Sequence, residues 1–279
     1  MLSTHTLAKV EITKPTTNDY AAYGVSELSK EKVVIEWSSK EGQEFFSKAE
    51  YPNDFSQLAP FYQPQINPAY CGIATLTILK NYFEAKDPGI PNNTAMALDI
   101  HQPKNEIVKM AFPSYSQITF FDNKAVEKIK PKEFVLGANT KPPFDPGVNL
   151  DEFTAMAHAL KLAGDAVHVD KALNDTEADY KQFIERLKAS AADDKTVMVA
   201  NFRGKIYGGL TGGHISPLVA LSFDADRKDY RVLILDVAAH KNPWTWVPAK
   251  DIYHAMNSID TLPTGEKKFR GYVVLSKKI

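Results

Sequence analysis

Four runs in the last third of the chain, TVMVANF (196–202), HISPLVALSF (214–223), YRVLILDV (230–237) and RGYVVLS (270–276), are rich in β-branched and aromatic residues and are separated by polar turns. Such runs form strands. Upstream, the apolar residues recur at three to four positions instead. Ile73, Leu76, Leu79 and Phe83, with Tyr82 beside them, trace one helical face that Pro88 ends, and NLDEFTAMAHALKLAG (149–164) opens on a capping Asn or Asp and stops at Gly164. A further helix is expected over about 176–190. Helices first and strands later predict an α+β fold, with a cleft between a helical lobe and an antiparallel sheet.

The remaining segments are less regular. KVVIEW (32–37) reads as a short strand, KEGQEFFSKAE (40–50) as a short helix, and 51–70, with four prolines, as an extended segment. Over 87–149, Pro, Asn and Gly breaks separate short helical pieces. Residues 1–30 are polar and read as an N-terminal arm, leaving 31–279 as the folded body, helical over about 31–190 and β-rich over about 191–279.

Charge and cysteine content exclude several roles. Lys plus Arg number 33 against 34 acids, so no overall field favours nucleic acid or an anionic membrane. One cysteine rules out an internal disulfide and a Cys-based zinc cage, which fits a reducing compartment. No window approaches the roughly 18 apolar residues that span a bilayer, and the first residues do not read as a secretory signal. A cytoplasmic protein is expected, with export after removal of a leader as the alternative.

That cysteine, Cys71, lies in QINPAYCGIATLTIL (65–79), at the mouth of the helix-periodic run. A lone cysteine is commonly a small buried hydrophobe. In the first turn of a helix, however, free N–H groups and the positive dipole end favour thiolate. Gly72 beside it permits close approach, and Gln65, six residues upstream, carries an amide able to donate to an oxyanion. A nucleophilic thiol needs a base. Of the seven histidines, His214 follows the glycine-rich GGLTGG and opens a strand, which suits a proton carrier as well as a structural ring. Asp236 sits inside an apolar run, where a carboxylate needs a partner. If the hairpin turn DADRKD is centred on Ala225, opposed residue numbers sum to 450, which sets His214 against Asp236 on one face; a sum of 453 brings them close without guaranteeing a shared face.

QINPAYCGIATLTIL, GGHISPLVAL, VLILDVAAHKNPWTWVP, SID and FRGYVVLS together resemble the phytochelatin synthase family, papain-like cysteine transpeptidases acting on glutathione. The resemblance implies a papain-like catalytic domain over 31–279, with Cys71 as nucleophile, His214 as general base and acid, Asp236 orienting the imidazole, and Gln65 with the Cys71 N–H as oxyanion hole. Cys71 then attacks the Cys-Gly bond of glutathione, and the γ-glutamylcysteinyl thioester passes to water or to a second glutathione. With no other cysteine and an end close after RGYVVLS, the chain resembles the short bacterial form, which chiefly hydrolyses. The resemblance also implies glutathione and γ-glutamylcysteine peptides as partners, and allows a homodimer. No cofactor is expected to be tightly bound, and no metal site in the protein; a heavy-metal ion such as cadmium enters as a metal-glutathione thiolate substrate.

Asp260 in SID and Arg270 in FRG occupy family-like positions, and their charges suit an α-ammonium and an α-carboxylate. Asn201 is a further candidate contact, while Arg203 reads as a rim charge. Trp244 and Trp246, at alternating spacing, read as sheet packing, and His158 and His168 have no partner at ligand spacing. Two other readings compete: a papain-like peptidase or amidase with another substrate, and a non-catalytic thiol or metal-binding module.

Overall fold

The computed structural model describes residues 34–85, 96–101, 107–112, 115–138, 146–170, 177–207, 212–262 and 266–278. The expected arm, 1–30, lies outside the described residues. Along the chain the strands are β1 (Ile35–Glu36), the hairpin β2 (Met96–His101) and β3 (Ile107–Phe112), β4 (Leu162–Ala163), β5 (Ala166–His168), β6 (Thr196–Arg203), β7 (Gly213–Asp224), β8 (Asp229–Ile234) and β9 (Thr245–Pro248). The hairpin β10 (Ile259–Thr261) and β11 (Lys267–Phe269) and the last strand β12 (Gly271–Lys277) complete them. The α-helices are α1 (Lys40–Ser47), α2 (Asn53–Leu58), α3 (Cys71–Ala85), α4 (Lys124–Ile129), α5 (Lys132–Val135), α6 (Leu150–Ala159), α7 (Glu177–Ala192) and α8 (Ala249–Met256).

The frame is an eight-stranded antiparallel sheet in the order β1-β9-β8-β7-β6-β12-β4, with β5 also pairing β12. Its central strands are covered on both faces, which is why they read as nearly unbroken apolar runs rather than as alternations. Through Val199, Ile215, Leu233 and Val273 one face joins a core with Leu76 of α3, Val126 of α4 and Phe153 of α6. Through Met198, Leu218, Val232 and Ile234 the other face joins Phe183 of α7 and Ile252 of α8.

This double covering corrects the expected division at about residue 190. β1, β4 and β5 come from the helical portion yet complete the sheet, and α7 packs on the far face beside α8. Residues 51–70 are not simply extended: Pro52 precedes α2 and Pro60 lies in a 3₁₀ turn at Ala59–Phe61, positions where the missing N–H costs little. Within 87–149 the helical pieces α4 and α5 are present, but the hairpin β2/β3 replaces a helical reading of the first part. Of KVVIEW, the described residues form a strand at Ile35–Glu36. The helix from 149 ends at Ala159 rather than at Gly164: Lys161 takes a left-handed conformation (φ 62°), and Leu162–Ala163 pair with β12.

α3 is the innermost helix. Every residue from Cys71 to Phe83 is buried, not just the face traced by Ile73, Leu76 and Leu79, and its polar groups are bonded as burial demands. Thr75 Oγ1 donates to Ile215 O at 3.1 Å, Asn81 Nδ2 to Tyr115 O at 3.0 Å, and Lys80 pairs with Glu84. Gly72 faces the chain just before α6, where a Cβ would meet Val148 Cγ2 at 2.4 Å. The close approach anticipated there is that of Val148.

Candidate active site

The β7–β8 hairpin fixes two of the three side chains by a change of register. From the turn, Asp224↔Asp229 through Ala220↔Leu233 sum to 453, but Leu218 opposes Ile234, a sum of 452. Val219 is therefore the extra residue of a β-bulge. Leu235 N donates to Pro217 O at 3.1 Å, continuing the 452 register, and Pro217, with no N–H to return, sits beside the bulge where a central strand tolerates it. In this register Ser216 stands opposite Asp236, and His214, two residues on, shares their face. Had 453 persisted, Asp236 would have faced away from His214. The turn thus follows the second of the two registers considered from the sequence, and one inserted residue restores the shared face that the first guaranteed.

His214 Nε2 donates to Asp236 Oδ1 at 2.8 Å. Asp236 is fully buried, and its other bonds come from Ala238 N–H to Oδ1 (2.7 Å) and Asn242 Nδ2 to Oδ2 (3.2 Å). Burial pushes this carboxyl up, but the His214 charge and these donors outweigh it and hold it below the usual carboxylate range. Tyr62 OH donates to the Asp236 main-chain O at 2.8 Å. Ser216 Oγ lies 3.1 Å from His214 Nε2 and accepts from Val237 N–H at 3.4 Å. The Phe202 ring stands edge-on to the imidazole, centroids 5.5 Å apart.

With Nε2 engaged, Nδ1 is the nitrogen left for sulfur. Cys71 is the first residue of α3, 8% exposed, and on the wall of the cleft, so it is not sealed in packing. Burial pushes the thiol up, yet the His214 hydrogen bond and charge, with the N–H groups of Ile215 and Gly72, bring it below the ordinary thiol value. Burial lowers His214, whereas Asp236 and then Cys71 more than reverse that and raise it. Both shifts favour a thiolate–imidazolium pair.

The cleft has a volume of about 730 Å³, within the range of small-ligand sites. Its wall holds Gln65, Cys71, Asn201, Gly213, His214 and Asp260, so it joins both ends of the constellation. Gln65 Nε2 donates to Asn67 O (2.9 Å) and Pro68 O (3.0 Å) while its Oε1 is buried without a partner; donation to an oxyanion requires the amide to turn off a loop carbonyl. Asn201 is 2% exposed, and its Nδ2 has no partner, leaving a donor available to whatever enters.

The structure brings Asp260 and Arg270 together but gives them different places. Asp260 reaches the wall, whereas the buried Arg270 stands behind it, Nη2 donating to Asp260 Oδ1 (2.7 Å) and Nη1 to Ile259 O (2.7 Å) and Ser258 Oγ (3.2 Å). A Cβ on Gly213 would lie 2.8 Å from Arg270 Nε, so this glycine admits the guanidinium. Trp246 is fully buried, with Nε1 donating to Gly42 O, and Trp244 packs on Trp37, Phe55 and Tyr62; neither lines the cleft.

Sequence reasoning missed Ser216, Asn242 and Tyr62. Ser216 lies two residues from His214 in the same strand, and that spacing is the signal that could have found it. The contacts of Asn242 and Tyr62 depend on irregular backbone. Among the described residues, no group of three or more His, Cys, Asp or Glu stands together as a metal site, and no helix is long and apolar enough to cross a membrane.

A family model described as phytochelatin synthase matches residues 25–272. The chain belongs to the phytochelatin synthase family. Relatives of this chain include glutathione gamma-glutamylcysteinyltransferase 1 of Arabidopsis thaliana, 27% identical over 88% of this chain and 42% of its own. Enzyme 3 of Lotus japonicus is 29% identical over 88% and 42%, and the Schizosaccharomyces pombe enzyme 27% identical over 88% and 49%. The chain therefore spans less than half the length of these relatives. Among solved structures, a cysteine protease, interpain A of Prevotella intermedia, aligns with 84% of this chain and 97% of its own, at 11% identity and a TM-score of 0.34.

Proposed function

We propose that the chain cleaves the Cys-Gly bond of glutathione through a γ-glutamylcysteinyl thioester on Cys71. The observation that carries this reading is the cleft wall itself, where a thiol paired with a buried His–Asp couple shares one cavity with the acidic Asp260 and the unpartnered Asn201 donor. The names of the relatives supply the substrate class.

In this mechanism the Cys71 thiolate attacks the carbonyl carbon of the cysteinyl residue, and its oxygen becomes an oxyanion beside the Cys71 N–H. That N–H, the first of α3, has no intrahelical acceptor. Gln65 joins it by turning its amide off a loop carbonyl. His214 gives its Nδ1 proton to the glycine nitrogen, the C–N bond breaks, and glycine leaves. Water, or the amine of a second glutathione, then loses a proton to His214 and attacks the thioester carbon, releasing thiolate with γ-glutamylcysteine or a longer peptide. Asp260 accepts the α-ammonium of the γ-glutamyl end, Arg270 orients Asp260, and Asn201 donates to a substrate oxygen. A heavy-metal ion enters this scheme as substrate, bound through glutathione thiolates, because the protein has one thiol.

Incubation with glutathione is expected to release free glycine, and Cys71→Ser or His214→Ala to lower the rate about 10⁴-fold. Full glycine release by Cys71→Ser would eliminate the thioester. Product masses, with and without cadmium, separate the acceptors: γ-glutamylcysteine alone means hydrolysis, and (γ-Glu-Cys)₂-Gly means transfer.

A further inference from the structure

We propose that His168 is a positioning residue for Arg270 and Asp260, an imidazolium clamp whose loss of a proton weakens substrate binding while leaving the chemical step alone. The inference rests on the reading of Asp260 as the α-ammonium acceptor and adds to it a pH-dependent control.

His168 ends β5. Its Nδ1 lies 2.5 Å from the Phe269 carbonyl oxygen and its Nε2 2.9 Å from Asp151 Oδ1 in the first turn of α6. Carbonyl and carboxylate oxygens only accept, so both ring nitrogens must carry hydrogen, and only the imidazolium does. Either neutral tautomer would turn a nitrogen lone pair against an oxygen. The second Asp151 oxygen takes Lys268 Nζ at 2.6 Å. Burial raises the Asp151 carboxyl, but hydrogen bonds from Lys268 and His168 reverse this and hold it below the usual range, so a carboxylate faces the ring. The ion-pair network around the ring holds Asp151 from α6, Lys268 from β11 and, 4.0 Å beyond Lys268, Glu266, while Glu152 of α6 pairs with Lys130 instead. From β12 the main chain of Gly271 pairs with His168; a Cβ there would sit 1.9 Å from Val167 O, so this glycine lets β5 come close.

The clamped carbonyl belongs to the residue just before Arg270. The Arg270 N donates to Ser258 O at 2.9 Å, its O accepts from Val169 N at 2.8 Å, and its guanidinium holds Asp260. His168 thereby ties the root of that side chain to α6, a helix in the same core as α3. An Asp260 carboxylate fixed by Arg270 moves when the root moves, which changes affinity rather than the attack at Cys71.

The test follows the His168 ring proton by NMR across pH, with its signal identified by its loss in His168→Gln, and measures kcat and KM for glycine release at the same pH values. KM is expected to rise about fivefold across the ring titration, the scale of a half-exposed ion pair, with kcat unchanged by that titration. His168→Gln and Asp151→Asn should hold KM at the high value without that pH course, and His168→Arg, a cation with donors for both oxygens, should restore a low KM. Substrate-free hydrogen exchange at the Arg270 and Val169 amides should quicken over the same titration in the unaltered chain. A His168→Gln variant that keeps the pH course of KM, or amide exchange indifferent to the ring proton, overturns the clamp. If the unaltered chain releases no glycine, the glutathione reading fails by itself, and amide exchange still decides on the clamp.

Discussion

The two nitrogens of His214 do different work, and each sets a limit on pH. Nε2 is committed to Asp236, and Nδ1 meets the sulfur, so the reactive state exists above the Cys71 titration and below that of the ring. The ring, lowered by burial and raised more by Asp236 and Cys71, reaches about 10. Cys71 alkylation by iodoacetamide is expected to stay fast well below the ordinary thiol range, and kcat/KM to fall on the alkaline side near pH about 10. In His214→Ala the alkylation profile should shift towards an ordinary thiol at about 8.5; an unaltered chain with that same profile would show that no ion pair forms. Asn201 and Gln65 separate by parameter. Asn201→Ala should raise KM, having removed a donor to bound substrate, whereas Gln65→Ala should lower kcat about 10²-fold if its amide turns to the oxyanion.

Single elements decide whether those residues meet. Deleting Val219 removes the extra residue yet leaves Leu218 opposite Ile234, and with it Ser216 opposite Asp236, so His214 keeps the face it shares with Asp236. Glycine release is therefore expected to persist, with strand content by circular dichroism retained; a fall of about 10³-fold or more in a folded variant would mean that the bulge itself, and not the register on either side of it, aims His214. The same bulge marks the limit of what could be read in advance. Cys71, His214 and Asp236 were legible because each stands where its residue type is unusual: a thiol at a helix mouth, a histidine beside glycines, an acid inside an apolar run. Their contact was not, because its parity depends on one inserted residue, which Pro217 in the middle of a strand hinted at. Helix α8 has helically spaced apolar residues, but with eight residues between strands it offers too short a period. β4 and β5, of two and three residues, carry no pattern at all, and their assignment to the sheet comes from pairing with β12.

At the scale of the molecule, the covering of both sheet faces buries charge away from the cleft as well. Asp251 on α8 is 5% exposed, and one of its oxygens has no partner. Burial raises its carboxyl to about 6, against the lowering influence of Arg227 and Arg231. A folded value above the unfolded one stabilises the chain below the unfolded titration, and that contribution is lost as pH rises through about 6. Asp251→Asn is therefore expected to match the parent in urea unfolding at low pH and to exceed it by about 1–3 kcal/mol above neutrality; equal stability at all pH values would mean that the acid is solvated in the fold. Helix α3 has the opposite kind of consequence. Because the helix that carries Cys71 runs through the innermost packing instead of along a rim, heat cannot fray its thiol end while sparing the rest. Loss of thiol reactivity on warming and the calorimetric melt should coincide in a single event.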